Sequence, residues 1–326
     1  MATEVINIVD PDAGSGYDYD SLSDWEAGEQ ANIVAADEQH TAKCRCTGGT
    51  ADTTAVTIAG WTTDSTCFIK IWTDPEESYR HDGTYQTGNK YRLEYTGNGI
   101  IIQEGNVNLE GLQISLVCPT DFTYYNALSY TTSGVDGDEK IEKCVFYLSS
   151  TAFTQRGRSI NIATNATTGI DWIIANNVFY SAGVGGSMCR GIENGDNNSS
   201  GTVYIYNNTF KTLKVAIFIS LFDGADCYVK NCGFVSCTTG ISGTADGTAT
   251  NSTSTPTFDT DGIHLDSTDN TWKDQGTDLS GEGFFTDDID GDTRSGSWDI
   301  GADEYVAAGG ALSIPVAMRT YRNMRI

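Results

Sequence analysis

The chain has five prolines and three histidines in 326 residues, and nowhere a long unbroken apolar run. Without roughly 18 consecutive apolar residues there is no candidate for a membrane-spanning helix. Nine cysteines include no C-x-x-C, so nothing nucleates a zinc ribbon or a redox pair. His40, His81 and His264 fall in three separate parts of the chain, which gives a histidine-centred mechanism little support. Basic residues are scarce too: 19 Lys and Arg stand against 44 Asp and Glu, for a net charge of −25. A field of that sign repels phosphate backbones and anionic lipid, so neither nucleic acid nor membrane is an expected partner. The opening MATEVINIVD lacks the basic and apolar regions of a secretion signal, and synthesis in the cytoplasm without export is expected.

What is abundant is glycine, at 36 residues, together with Thr, Ser, Asn and Asp between short apolar runs. That composition belongs to many short strands joined by turns, and a hydrophobic fraction of 39% can fill their core. Cys44 and Cys46 share one strand face. The odd cysteine count is read as buried free thiols, in preference to metal ligation or disulfides.

The run VYIYNNTF, Val203 to Phe210, is a strand interrupted by two asparagines, and it has relatives. Val107–Leu112, Ile141–Phe146, Ile174–Phe179 and Val229–Phe234 align with it, with Leu112, Phe146, Phe179, Phe210 and Phe234 at intervals of 34, 33, 31 and 24 residues. A period of that length, carrying strands and turns but no helix, predicts a parallel β-solenoid in which each unit is one coil. By strand parity Ile205 faces the core while Tyr204 and Tyr206 face out. Asn176, Asn207, Asn208 and Asn231 are the predicted corner, since asparagine tolerates the left-handed conformation and can bond an amide one coil away.

This pattern of aliphatic strand, asparagine bend and aromatic resembles the right-handed, single-stranded parallel β-helix of pectate-lyase-like proteins and phage tailspikes. SLSDWEAGEQ resembles the opening segment, and DDIDGDTRSGSWDIGADEY the closing segment, of β-helix proteins from bacteria and their viruses. The resemblance implies an all-β fold over roughly residues 1–305. Its expected parts are an N-terminal strand and capping helix over 1–31, with Ser21 as N-cap; a coil with its closing segment over 32–305; and a linker with an extended tail over 306–326.

Within the closing segment Asp288, Asp290 and Asp292 alternate like calcium ligands, with Asp299 in the twelfth position. Thr293 stands where such a loop needs glycine, however, and Asp299 where it needs glutamate. The favoured reading is a clamp in which Arg294 bridges carboxylates such as Asp303 and Glu304; calcium is the alternative, and no other cofactor is expected. Asp223 and Asp226 form a tight acidic pair read as a polar turn. No catalytic residue is assigned, because paired carboxylates or a carboxylate–base cluster on one face are not evident.

Tyr204, Tyr206 and Tyr228 form an outward stripe suited to a subunit interface or, less well, to sugar rings. The tail reverses the sign of charge: RTYRNMRI holds three arginines and no acid, whereas residues 1–42 hold ten acids and no Lys or Arg. Ile314, Val316, Met318, Arg319, Tyr321, Arg322 and Arg325 make it a docking segment for an acidic groove. The expected function is a non-catalytic structural protein of a virus particle, a phage capsid decoration or a tail or fibre component. Its expected partners are further copies, as a homotrimer, and another virion protein such as the major capsid or a tail protein. A carbohydrate-active enzyme or glycan-binding adhesin on the same fold is the alternative.

Overall fold

The computed structural model describes residues 2–12, 16–119, 123–131, 137–149, 155–163, 170–182, 188–194, 201–219 and 226–307. They form three sheets of nine, six and seven strands, every pairing between the strands parallel. In each sheet the neighbours are one coil apart in sequence, so the chain visits the three sheets in turn and winds a parallel β-helix. Connections of this kind wind right-handed in nearly all proteins. Among the described residues no helix is long and apolar enough to cross a membrane.

One coil shows how the sequence dictates the path. Val203–Tyr206 lies in the first sheet, Thr209–Lys211 in the second and Val215–Ile219 in the third. Between the first two, Asn207 takes φ +50°, turning the chain sharply. The same corner recurs at Gly111, Lys143, Asn176, Asn231 and Thr250, all with positive φ. A left-handed residue costs roughly 1–2 kcal/mol for most side chains, so asparagine and glycine are the economical choices and Lys143 and Thr250 the costly ones.

Inside, equivalent residues stack coil upon coil. Phe146, Phe179, Phe210 and Phe234 form a ladder with ring centroids 4.9, 4.8 and 5.5 Å apart, close to the spacing of adjacent strands. Ile141, Ile174, Ile205 and Val229 form another. The earliest repeat needs a correction: Ile114, not Leu112, pairs with Phe146. Leu112 instead fills the inward corner position held by Cys144 and Asn177 in the next coils, which displaces the sequence alignment by two residues.

At the N-terminus Thr3–Val9 pairs with Glu38–Cys44, so the large sheet already begins there. Ser21 caps the helix Leu22–Glu29 by accepting the Asp24 amide at 3.0 Å. Leu22 and Trp25 are fully buried, and Trp25 stacks on Trp61 at 5.5 Å, covering this end of the coil. All nine cysteines are free thiols, eight of them buried.

Candidate functional site

The two corner asparagines do different work. The second of each pair faces inward and builds a ladder. Asn208 Oδ1 accepts the Asn177 amide at 2.9 Å and its Nδ2 donates to the Ile174 carbonyl at 2.7 Å; Asn177 does the same for Cys144 and Ile141, both at 2.8 Å. Where cysteine replaces asparagine the thiol takes over the donation, Cys144 to Leu109 at 3.9 Å and Cys232 to Ile205 at 3.3 Å. Asn251 resumes the asparagine pattern, accepting the Cys232 amide and donating to Val229. Cys232→Asn should therefore extend the ladder and raise stability by about 1 kcal/mol, read by chemical denaturation.

The first asparagine of each pair, in the left-handed conformation, faces out and holds the closing segment. Asn176 Nδ2 donates to the Asp287 carbonyl at 2.8 Å, Asn207 to Asp299 at 3.0 Å and Asn231 to Thr277 at 2.8 Å. The segment they hold covers the aromatic stripe. Tyr204, Tyr206 and Tyr228 do point away from the coil core, but they pack with Phe284, Phe285, Leu279 and Trp298, and Tyr206 is only 1% exposed. The stripe taken from sequence as a docking face is thus largely occupied by the chain itself. Beside the second sheet a glycine makes room for another part of the segment: a Cβ on Gly233 would lie 2.0 Å from the ring of Trp272, which packs with Val235, Leu265 and Ile300.

The aspartates of the closing segment do not converge as one calcium loop. Asp288 is fully buried and accepts the amides of Asp290, Asp292 and Glu304 at 2.8–3.0 Å. Asp299 accepts the amides of Asp274 and Tyr305, both at 2.6 Å. Burial pushes each of these carboxyls up to about 6. Both fold the turn through the amides they accept.

Arg294, its side chain 0% exposed, donates to Glu304 Oε2 at 3.1 Å, to Asn176 Oδ1 at 2.8 Å and to the carbonyls of Gly301 and Ala302. It ties closing segment to corner. Asp303 is not part of this clamp. Arg294→Lys keeps the charge but loses the planar fork, and should cost about 2 kcal/mol, seen as earlier release of the closing segment in hydrogen exchange.

Asp303 belongs elsewhere, with a histidine that the sequence had isolated. His264 Nδ1 bonds Asp261, and Nε2 meets Asp290 Oδ2 at 2.7 Å. The Asp290 bond, supported by Asp261, holds the imidazole up at about 10 against the effect of burial. Asp303 accepts the Leu265 amide at 2.6 Å, and burial pushes its carboxyl up to about 7. Among the described residues, His264, Asp290 and Asp303 are the group of three whose ligand atoms lie within 4.8 Å of one another. They line a cleft of about 390 Å³ shared with Asp259, Asp266, Asp292 and Glu304.

His81, far from His264 in sequence, lies two residues from Gly83, where a Cβ would sit 3.2 Å from His264 Nε2. Burial, with Arg80 beside it, holds His81 neutral down to about 3, and its Nε2 donates to the Lys143 carbonyl at 2.9 Å. Nothing in local sequence signals these meetings, because the contributing stretches carry almost no periodic structure.

A second polar cluster lies on the third sheet. Arg158 and Arg190 stand opposite each other on adjacent strands and share the Glu193 carboxylate. Their guanidinium groups lie 4.2 Å from the Tyr124 ring centre and 4.1 Å from that of Phe218, respectively. Asp223, and the tail residues Ile314, Val316, Met318, Arg319, Tyr321, Arg322 and Arg325, lie outside the described residues. Compared with known proteins, the chain matches no family model and no curated protein.

Proposed function

We propose that the chain is a non-catalytic structural component of a larger particle, with the coil as a rigid body and its C-terminal end as a docking surface. The observation that supports this is the difference between the two ends. Trp25 and its helix cover the first coil, whereas Thr239–Ser242 and Gly247–Ala249 have, among the described residues, a neighbouring strand on one side only. Every residue of those two strands is half-buried or exposed, and Phe234, Ile241 and Ala249 line a cleft of about 420 Å³ beside them. Strand edges next to apolar side chains are what native proteins cover with a partner.

A phage capsid decoration or a tail or fibre component is the setting that fits an acidic solenoid with an arginine-bearing tail, and three copies about an axis is the assembly by analogy with tailspikes. Removing residues 306–326 should leave the melting temperature unchanged while abolishing incorporation into the particle. Undiminished incorporation would overturn the docking role of the tail.

The arginine and aromatic cluster of the third sheet favours a second reading, binding or cleavage of acidic glycans, since guanidinium groups pair with carboxylates and rings stack on sugars. An array of neutral and acidic glycans, run with and without chelator, separates the readings. New reducing ends or unsaturated uronates would sink the non-catalytic one.

A further inference from the structure

We propose that His264, Asp290 and Asp303 form a divalent-metal site of mixed nitrogen and oxygen ligation, which takes a transition-series cation such as zinc or manganese in preference to calcium. The ring nitrogen and two carboxylate oxygens lie within 4.8 Å of one another. Ligands about 2.1 Å from a shared ion stand at most about 4.2 Å apart, so sub-ångström side-chain shifts close the set.

Three features make this more than a cluster of acids. The imidazole is aimed: Asp261 Oδ1 accepts the amides of Ile263 and His264 at 2.8 and 3.0 Å while Oδ2 holds Nδ1, leaving Nε2 as the ligand. A carboxylate behind a ligating histidine is the usual outer support of metal sites. Asp303 is buried, 6% exposed, and among the described residues its carboxylate accepts only the Leu265 amide, at Oδ2, which leaves Oδ1 for a ligand. Space beside Nε2 exists because residue 83 is glycine, where a Cβ would press on the ring at 3.2 Å.

Binding replaces the bond between Nε2–H and Asp290 with two metal–ligand bonds, and the Nε2 proton leaves to solvent. A nitrogen ligand disfavours calcium and magnesium, which prefer all-oxygen shells. The ligands sit on three stretches of the closing segment: the hairpin that pairs Phe258 with Leu265, the turn that pairs Asp287 with Thr293, and the final run through Asp303. The ion would therefore fasten that segment to itself.

Full-length chain stripped with chelator and titrated with zinc, manganese, calcium and magnesium by calorimetry tests this. One zinc or manganese ion should bind per chain, with protons released and the melting temperature raised. His264→Ala should abolish the uptake and the thermal gain, Asp290→Asn, at an exposed position, should weaken binding without affecting folding, and Asp261→Asn should weaken it on the order of 10- to 100-fold. No uptake of either metal, uptake that survives both His264→Ala and Asp290→Asn, or calcium binding as tightly as zinc would overturn the proposal.

Discussion

Replacing Asn208 by leucine is expected to destabilise the middle coils by roughly 3–5 kcal/mol, although leucine matches asparagine in the number and branching of its side-chain heavy atoms. The reason is what it strands. The Asn177 amide loses its acceptor and the Ile174 carbonyl its side-chain donor, both fully inside the coil. Each buried polar group left without a partner costs about 1–3 kcal/mol, and the shared bond at 3.1 Å between the two side chains goes as well.

Two controls make the test specific. Asn208→Cys recreates what stands at positions 144 and 232, a thiol able to donate to the coil below, and should recover part of the loss. Asn207→Gly keeps the left-handed corner but removes the bonds to Asp299 and Gly301, so it should loosen the closing segment and spare the coil. In a solenoid each coil touches only its neighbours, and a single global midpoint can blur such local effects. Hydrogen exchange resolves them: leucine at 208 should expose amides around 174–210, while glycine at 207 should expose those around 287–302. Identical exchange patterns in the two variants would refute the division of labour.

That division also marks how far the sequence could be read. The turn was legible because it rests on one residue's backbone preference repeated every coil, and strand parity placed Ile205 inward and Tyr204 outward. Parity tells which face a side chain takes and nothing about what lies over it, so the cover of Phe284 and Trp298 was invisible. Neither could spacing reveal the meeting of His264 with Asp290 and Asp303, since their segment follows no helical or strand period. The two-residue error at Leu112 has a narrower cause: an apolar residue at the inward corner position imitates the first core residue of the next strand.

Parity did contain one further result, at Glu139. It lies two residues before Ile141 on the same strand face, and the structure places it in the core column with Trp172, Val203 and Cys227. It is 1% exposed, and neither carboxyl oxygen makes a well-formed hydrogen bond. Burial raises its affinity for a proton well above the ordinary range, with the Val107 amide a weak counterweight.

The sign of the pH effect follows. Between the unfolded value of 4.5 and the raised folded value, the native state holds a proton that the unfolded chain has released, so stability from this group falls as pH rises. Above the unfolded value, a carboxyl that keeps its proton in the core weakens the fold by about 1.4 kcal/mol for each pH unit until it ionises. Glu139→Met, of similar volume and without charge, should raise stability at pH 7, and by more at pH 7 than at pH 5. The gain should shrink toward zero near pH 4, where the unfolded chain is protonated too. Denaturation of both proteins from pH 4 to 8 measures the difference directly. A variant less stable than the parent at pH 7 would mean that the core carboxyl has a charged partner, and that the column at Trp172 and Val203 is not the apolar stack its geometry describes.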